Sequence, residues 1–224
     1  CYFRRRTRSR IVAGPFAGMR YVGASVGSSY IPKLLGTYEK ELHPLMADLC
    51  REDYDKIIDV GAAEGYYAVG LAMRHPHSQG VAFEAQDQGQ QLIKAMCALN
   101  GVQNVSIKGR CDVTTLEREI GEGKKVLIVM DVEGAELELL HPRTIEKLKH
   151  CHILVETHDW VREGTKEELV GRFRGTHTVT EIVSRQRSIQ DYTIPLAGWL
   201  SLLPRKWLLL FLDEFRPRPM TWLY

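Results

Sequence analysis

Short apolar runs alternate with longer segments of helical periodicity from residue 56 onward. Continuous apolar runs are typical of strands buried on both faces of a sheet. They predict five strands, over residues 56–60, 80–84, 105–108, 126–131 and 152–156. Amphipathic helical patterns lie between them, over residues 66–74, 88–100, 115–120 and 135–150. This alternation predicts βα units and an α/β fold with a parallel sheet.

The flanking segments predict further elements around this sheet. In chain order they are a hairpin over 11–22 bent at Gly14-Pro15, a helix over 38–50, a helix over 166–173, a sixth strand over 178–183 and a final strand over 221–224. Thr114 with Glu117 three residues later predicts a capping box at the start of the third helix between the strands.

A Leu- and Trp-rich stretch covers residues 194–215. Pro204-Arg205-Lys206 divides it into pieces far shorter than the roughly 20 residues of a membrane span, so no span is predicted. We expect a helix packed on the sheet, with a lid over an acceptor pocket or a membrane-surface contact as alternatives. The chain then divides into residues 1–50, a hairpin and helix cover, and 51–224, a ligand-binding domain with this insertion.

Charge is balanced overall and uneven along the chain. The sequence has 30 Lys and Arg against 28 Asp and Glu, but both ends are basic and the segment between them has a net charge of about −6. Five arginines between residues 4 and 10 could contact nucleic acid or anionic lipid. Because no aromatic or glycine pattern of a nucleic-acid module accompanies them, we expect a frayed, solvated terminus and no nucleic-acid partner.

The five cysteines are odd in number and form no C-x-x-C pair. Neither a disulfide framework nor a zinc site is therefore predicted, and reduced thiols fit a cytoplasmic protein. The basic start is not followed by the apolar stretch of a signal peptide. Because the chain starts at Cys1 without a methionine, we expect a segment of a longer product.

The junction of the first predicted strand and helix reads Asp59-Val60-Gly61-Ala62-Ala63-Glu64-Gly65. Gly61 and Gly65 let the backbone turn sharply and approach a ligand, and the helix that follows offers free amide groups. The segment predicts a cofactor-binding turn. An ordinary tight βα turn that uses glycine is the alternative.

Acidic residues lie at the ends of the second and third predicted strands. Glu84 lies about 25 residues after Asp59, near the ~20-residue offset at which a Rossmann-fold acid binds ribose hydroxyls. This suits both NAD and S-adenosylmethionine. A dinucleotide fingerprint begun at Gly61 would need glycine where Ala63 stands, which disfavours NAD. Asp112 could accept from an adenine amino group or cap the next helix.

Polar side chains also end the fourth and fifth predicted strands. Asp131 ends the fourth, Glu133 and Glu136 come shortly after it, and His158 follows the fifth. Both ends face one crevice in a parallel sheet, so these residues predict an acceptor site. Glu136 could instead be a first-turn acid favoured by the helix dipole, and His158 could be a general base or a surface histidine. No spaced set of metal ligands is visible, and no metal is predicted.

At these residues the sequence resembles the FkbM-like branch of the class I S-adenosylmethionine-dependent methyltransferases. The matching segments are DVGAAEGYY, the acidic end of strand two, DVEGAELELL and LVETH, within residues 36–160. The stretch Leu35 to Leu42 resembles a family element that lies across the cofactor. One departure is Ala63, where many relatives carry asparagine, and it leaves a side-chain contact at that point in question.

The resemblance implies a Rossmann-like, mostly parallel sheet of seven strands with an antiparallel last strand. It implies methyl transfer (EC 2.1.1), usually to a hydroxyl of a sugar or natural product, with a small-molecule acceptor. Cofactor binding is expected at Tyr38, Glu39, Asp59, Gly61, Ala62, Gly65, Glu84, Asp112 and Asp131. Removal of the acceptor proton is expected at Asp131, Glu133 or His158, directly or through a divalent metal.

Two other functions remain open from the sequence. One is a nicotinamide-dependent oxidoreductase on the same fold. The other is a non-catalytic cofactor-binding module that uses the Leu-rich stretch as an interaction surface. The sequence does not determine the acceptor or the oligomeric state.

Overall fold

A computed structural model of the chain describes residues 2–196, 198–216 and 218–224. Within these residues seven strands form one sheet in the order β3-β2-β1-β4-β5-β7-β6. The strands are β1 Lys56–Val60, β2 Gln79–Phe83, β3 Val105–Lys108, β4 Val126–Met130, β5 His152–Thr157, β6 Glu181–Val183 and β7 Thr221–Leu223.

Helices lie before, between and after these strands. They are α1 Tyr2–Arg6, α2 Tyr30–Leu35, α3 His43–Leu49, α4 Tyr66–Arg74, α5 Asp87–Asn100, α6 Val113–Ile120, α7 Glu136–Leu139, α8 Thr165–Phe173 and α9 Arg205–Leu212. Short 3₁₀ turns occupy Lys40–Leu42, Glu146–His150, Ile189–Asp191 and Gly198–Leu202.

The sheet is mostly parallel, with an antiparallel last strand. β1 pairs in parallel with β2 and β4, and β7 runs antiparallel to both β5 and β6. This confirms the predicted fold class. The carboxyl ends of β1, β2, β4 and β5 therefore meet at one edge of the sheet, where loops are free to carry polar side chains.

Apolar side chains cover both faces of the sheet. Ile57 and Leu127 belong to the core on one face, and Ile58 and Ile128 to the core on the other. This two-sided burial explains why the central strands are continuous apolar runs without a polar alternation. Trp222 on β7 is fully buried in the first core and holds the antiparallel strand to the sheet.

Two local predictions between the strands are wrong. The helix predicted over 135–150 ends at Leu139, because Pro142 lacks an amide hydrogen and disfavours helical geometry in the residue before it. The capping box also lies elsewhere. Asp112, and not Thr114, caps α6: its carboxylate accepts from the Thr115 amide at 2.7 Å, and the Thr115 hydroxyl accepts from the Asp112 amide.

The N-terminal segment also differs from expectation. Residues 11–22 form a looped turn with a single antiparallel bridge between Arg10 and Arg20, and not a two-stranded hairpin, because their sequence has no alternating apolar pattern. The predicted frayed terminus is helix α1, held by the buried Phe3. No helix among the described residues has the length and apolar content required to cross a bilayer.

Candidate functional site

A cavity of about 490 Å³ opens at the edge of the sheet where β1, β2, β4 and β5 end. Its wall combines glycine backbone with carboxylate and imidazole side chains. The residues at the strand ends that line it are Asp59, Gly61, Glu84, Asp131, Glu156 and His158. The polar residues predicted at these strand ends therefore surround a single space.

The turn after β1 passes very close to the end of β4. Gly61 has a φ of +85°, and a Cβ placed there would lie 1.8 Å from the Asp131 carbonyl oxygen. No other residue type fits this approach. Ala63, two residues later, also has a positive φ of +48°, a conformation that costs an L-residue roughly 1 kcal/mol or more. The strained turn therefore places Gly61, Ala62 and Ala63 against the cavity with at most a methyl group as side chain.

Glu84 holds this turn from the end of β2. Its two carboxylate oxygens accept from the Ala63 amide at 2.8 Å and the Gln86 amide at 2.7 Å. Gly89 on α5 makes room for it, because a Cβ there would lie 2.5 Å from the Glu84 Cγ. Each oxygen has a second lone pair. The buried carboxylate can therefore still accept from two vicinal hydroxyls of a ligand.

Asp59 is a buried acid with an unused oxygen. It lines the cavity, and its Oδ2 has no hydrogen-bond partner among the described residues. Burial, with further contributions from the charges of Asp131 and Glu84, raises the pKa of Asp59 to about 7. An unsatisfied buried carboxylate is costly unless a donor or cation reaches it. The site is therefore suited to a positively charged ligand.

A fully buried ion pair fixes the N-terminal segment over the cavity. Glu64 pairs with Lys33 and accepts from the Tyr21 hydroxyl at 2.6 Å and the Val26 amide at 3.0 Å. Burial alone would raise the pKa of Glu64, but Lys33 and the hydrogen bonds outweigh it and lower that pKa. The Lys33 ammonium also lies 4.7 Å from the centre of the Tyr38 ring. This cluster places Lys33 and Tyr38 in the cavity wall.

His158 is surrounded by carboxylates. Its Nδ1 contacts the fully buried Glu136, and its Nε2 lies 3.3 Å from Asp131 Oδ1 and 3.8 Å from Glu156 Oε2. Burial alone would lower the pKa of His158. The hydrogen bond to Glu136 and the negative charges of Asp131 and Glu136 outweigh burial and raise that pKa. Glu136 thus orients the imidazole, and the other nitrogen faces the cavity wall.

Three of these four residues also have the geometry of cation ligands. Ligand atoms of Asp131, Glu156 and His158 lie within 4.8 Å of one another. Imidazole and carboxylate together suit several divalent transition metals. The sequence predicted no metal because the ligands come from two strands that are distant in the chain. Asp131 and His158 are thus candidate metal ligands as well as candidate proton acceptors.

Arg216 closes the cavity from the far end of the chain. Its guanidinium pairs with Glu156 on β5, with Glu39 at 2.5 Å and with Glu214 at 2.9 Å. Arg187 adds a second contact to Glu214 at 2.5 Å. The segment around residue 39 and the segment around residue 215 are in this way joined to the sheet.

Comparison with solved structures identifies related architectures. The O-methyltransferase TomG from Streptomyces achromogenes, involved in tomaymycin synthesis and solved with S-adenosylmethionine, superposes with a TM-score of 0.53 and 14% identity, over 84% of this chain and 79% of its own. An O-methyltransferase from Bacillus cereus in complex with S-adenosylhomocysteine gives 0.51 and 12%, over 84% and 80%. An rRNA methylase from Streptococcus thermophilus gives 0.50 and 14%, over 82% and 94%. The chain has the methyltransferase fold.

No protein-family model and no curated protein matches the sequence. The likeness to the methyltransferase fold is therefore one of architecture, and the site must be judged from its own residues.

The structure brings most of the predicted site residues into one cavity of the methyltransferase fold. Those that line it are Tyr38, Asp59, Gly61, Ala62, Glu84, Asp131, Glu133 and His158. Glu39 is buried behind the cavity wall, where it pairs with Arg216. Gly65 is the N-cap residue of α4. Asp112 does not line the cavity. It is exposed and caps α6, which is the alternative that the sequence had left open.

Sequence reasoning missed the residues that reach the cavity from outside the βα units. They include Lys33, Trp160, Glu214, Phe215, Arg216 and Met220. The two acids and one arginine in Asp213-Glu214-Phe215-Arg216 were a signal of a buried charge network. That signal does not show which strand the network would reach.

Proposed function

We propose that the chain is an S-adenosylmethionine-dependent methyltransferase that methylates a hydroxyl of a small molecule. One observation carries the proposal. A glycine turn held by a carboxylate, suited to a nucleoside, shares a single cavity with a histidine that a buried carboxylate orients. The glycine turn and its carboxylate form the donor half of the cavity, which suits a methyl donor. The oriented histidine belongs to the acceptor half, which suits removal of a proton from an acceptor.

The donor half fits the chemistry of the cofactor. The Glu84 carboxylate can accept from the two ribose hydroxyls, and Gly61 leaves space beside the strand end. Asp59 offers its unpaired oxygen to a cation, and S-adenosylmethionine carries both a sulfonium and an ammonium. The bound cofactor would supply a methyl group already activated by positive sulfur, so the protein mainly holds donor and acceptor in line.

The acceptor half can remove a proton. With Nδ1–H donating to Glu136, the Nε2 of His158 is free to accept a proton from a hydroxyl. Asp131, 3.3 Å away, and Glu136 stabilise the positive charge that the imidazole then acquires. Glu133 lines the same wall and can bind a neighbouring hydroxyl.

Exposed aromatic side chains of the cavity support the proposed acceptor class. Trp160 and Phe215 line the cavity and are about half or more exposed, at 49% and 66%. Aromatic faces beside carboxylates fit the alternating apolar and hydroxyl surfaces of a sugar or a polycyclic natural product. This agrees with the FkbM-like resemblance of DVGAAEGYY and DVEGAELELL, and we include that branch in the proposal.

The decisive test uses purified chain. Bound nucleotide is released and identified by mass spectrometry, and S-adenosylmethionine, S-adenosylhomocysteine and NAD are then titrated calorimetrically. Methyl-labelled donor is finally incubated with small-molecule and RNA fractions of an extract. Binding of the two adenosyl ligands with label in the small-molecule fraction supports the proposal. NAD binding alone would contradict it, and label confined to RNA would refute the acceptor class.

Binding of the adenosyl ligands without any transfer would favour the non-catalytic module. The nicotinamide alternative is the weaker rival, because the turn has Ala63 where a dinucleotide fingerprint needs glycine.

A further inference from the structure

The basic N-terminus and the Leu-rich stretch, far apart in the chain, lie side by side in the structure. Tyr2 of α1 packs edge-on against Trp199, with ring centroids 5.3 Å apart. Phe3, the next residue, packs against Phe211 of α9 at 5.0 Å. The short helix α1, the 3₁₀ turn Gly198–Leu202 and α9 therefore form one continuous surface, which we call the α1/α9 surface.

Large apolar side chains of this surface point to solvent. Leu202 is 83% exposed, Trp207 50% and Trp199 47%. Leu208 and Leu212 occupy the opposite side of α9 and are buried in the core. The inner side of α9 therefore packs into the core, whereas α9 and the 3₁₀ turn leave large apolar side chains uncovered on the outer side.

Cations accompany the apolar stripe. Arg4, Arg5 and Arg6 on α1 and Arg205 and Lys206 on α9 are all exposed. Within the part of the chain that the structure describes, none of these five forms an ion pair, whereas Lys33 and Arg216 at the cavity are each paired with carboxylates. Their positive charge is therefore available to an external anion.

We propose that the α1/α9 surface docks on a membrane that contains anionic lipid. Exposed Trp and Leu side chains enter the region between headgroups and acyl chains, and arginines beside them meet anionic headgroups. A second copy of the chain fits less well, since a symmetric contact would bring these cations together. RNA would pair with the arginines but offers no apolar partner for Leu202.

Vesicle binding of the full chain tests the proposal independently of any methyl transfer. The chain is sedimented with phosphatidylcholine vesicles that either contain or lack phosphatidylserine, at low and at raised salt. We expect binding to the anionic vesicles, weakened by salt. Arg5→Ala with Arg6→Ala should reduce partitioning by about 25-fold. Leu202→Ser with Trp207→Ser should reduce it by at least about tenfold.

Matched substitutions elsewhere control for general effects. Leu99→Ser changes a leucine on α5 that is 42% exposed, and Arg118→Ala an exposed arginine on α6. Both should bind vesicles like the parent, and all variants should keep its thermal midpoint. The proposal is overturned by no binding to anionic vesicles, or by equal losses in the controls. The proposal is also overturned if the chain binds RNA with an affinity that Leu202→Ser does not change. It is overturned as well if the chain binds no vesicles and instead forms a dimer that Leu202→Ser with Trp207→Ser dissociates.

Discussion

At the scale of single residues, Glu84 combines two tasks in one carboxylate. It holds the Ala63 and Gln86 amides and, in our proposal, also binds the ribose. We expect Glu84→Ala to weaken S-adenosylmethionine binding by about 1.5–3 kcal/mol, the range for hydrogen bonds to a charged group. Calorimetric titration measures this. Glu117→Ala, on the exterior of α6, is the control, and an unchanged dissociation constant in folded Glu84→Ala would remove Glu84 from the cofactor site.

Asp59 predicts an unusual dependence of stability on pH. Its pKa in the folded protein is about 7, above the ordinary value near 3.8, so the folded state holds the proton more tightly than the unfolded state does. The contribution of Asp59 to the free energy of unfolding therefore falls as pH rises from about 4 to about 7, by up to about 4 kcal/mol.

Denaturant unfolding of the parent and of Asp59→Asn across this pH range measures the effect. The stability difference between them should shift in favour of the variant as pH rises. Asp112→Asn is a control of opposite sign, because hydrogen bonds from Thr115 lower the pKa of Asp112, and its contribution is lost as pH falls. Parallel pH profiles for the parent and Asp59→Asn would show that Asp59 titrates normally.

His158 predicts a separation of turnover from binding. If its Nε2 takes the hydroxyl proton, His158→Ala should lower kcat by roughly 10²- to 10⁴-fold with little change in cofactor affinity. Since the pKa of His158 is raised, kcat/KM should increase with pH through a value above that of ordinary histidine. Glu136→Gln should move this inflection to lower pH.

The measurement needs an acceptor found with labelled donor. Asp131→Asn and Glu133→Gln are assayed beside His158→Ala, and His77→Ala, at an exposed position, is the control. Full turnover in all three site variants would show that the proton leaves by another route.

At the scale of elements, the strands were predictable and several helix boundaries were not. A strand covered on both faces must be apolar throughout, so β1 and β4 are visible in the sequence alone. The break after Leu139 depended on one proline, and the cap of α6 depended on whether Asp112 or Thr114 was free to adopt extended geometry. Such choices are decided by single backbone angles that periodicity does not report.

The residues of the cavity were predictable where they lie at strand ends, and not where they lie in irregular segments. Side chains at the ends of β1, β2, β4 and β5 converge because parallel strands share an edge, which topology alone dictates. Lys33 and Arg216 reach the cavity through contacts between segments that follow no regular pattern. No sequence period could place them.

The turn between β1 and α4 predicts the strongest effect of a single methyl group. Gly61→Ala places a Cβ against the Asp131 carbonyl, so the turn must move and cofactor affinity should fall by at least about 100-fold. Gly101→Ala has a similar positive φ of +68° with nothing within 4 Å, and should cost only about 1 kcal/mol of stability. Titration and thermal unfolding compare the two. Equal losses of cofactor affinity and stability in the two variants would mean that the positive φ restricts residue 61, and not its close approach to the Asp131 carbonyl.

At the scale of the whole molecule, a few buried cations join distant parts of the chain. Arg216 faces Glu39, Glu156 and Glu214. Burial alone would lower the pKa of Arg216, but the neighbouring carboxylates outweigh burial and raise that pKa. Burial, followed by the negative charges of Asp131 and Glu39, raises the pKa of Glu156, and Arg216 opposes this shift. Removal of the cation should therefore be costly.

We expect Arg216→Leu to lower the free energy of unfolding by about 3 kcal/mol, the lower range for breaking a buried ion pair, since Arg216 retains some solvent contact. The thermal midpoint should fall by roughly 6–12 °C. Arg51→Leu removes an exposed pair with Asp48 and should change stability by less than about 1 kcal/mol. Similar midpoints for both variants would show that the Arg216 network contributes little.

The contact between Arg216 and Glu39 joins residues 177 positions apart. Closing so long a loop costs chain entropy before the contact is made, so we expect the local βα units to assemble early and this closure to come late. On the ribosome, a chain that has emerged only to residue 200 has the glycine turn without the wall that Arg216 completes. Cofactor added to refolding protein should therefore leave the rates of the early folding phases unchanged. It should bind and stabilise only the product of the last folding step.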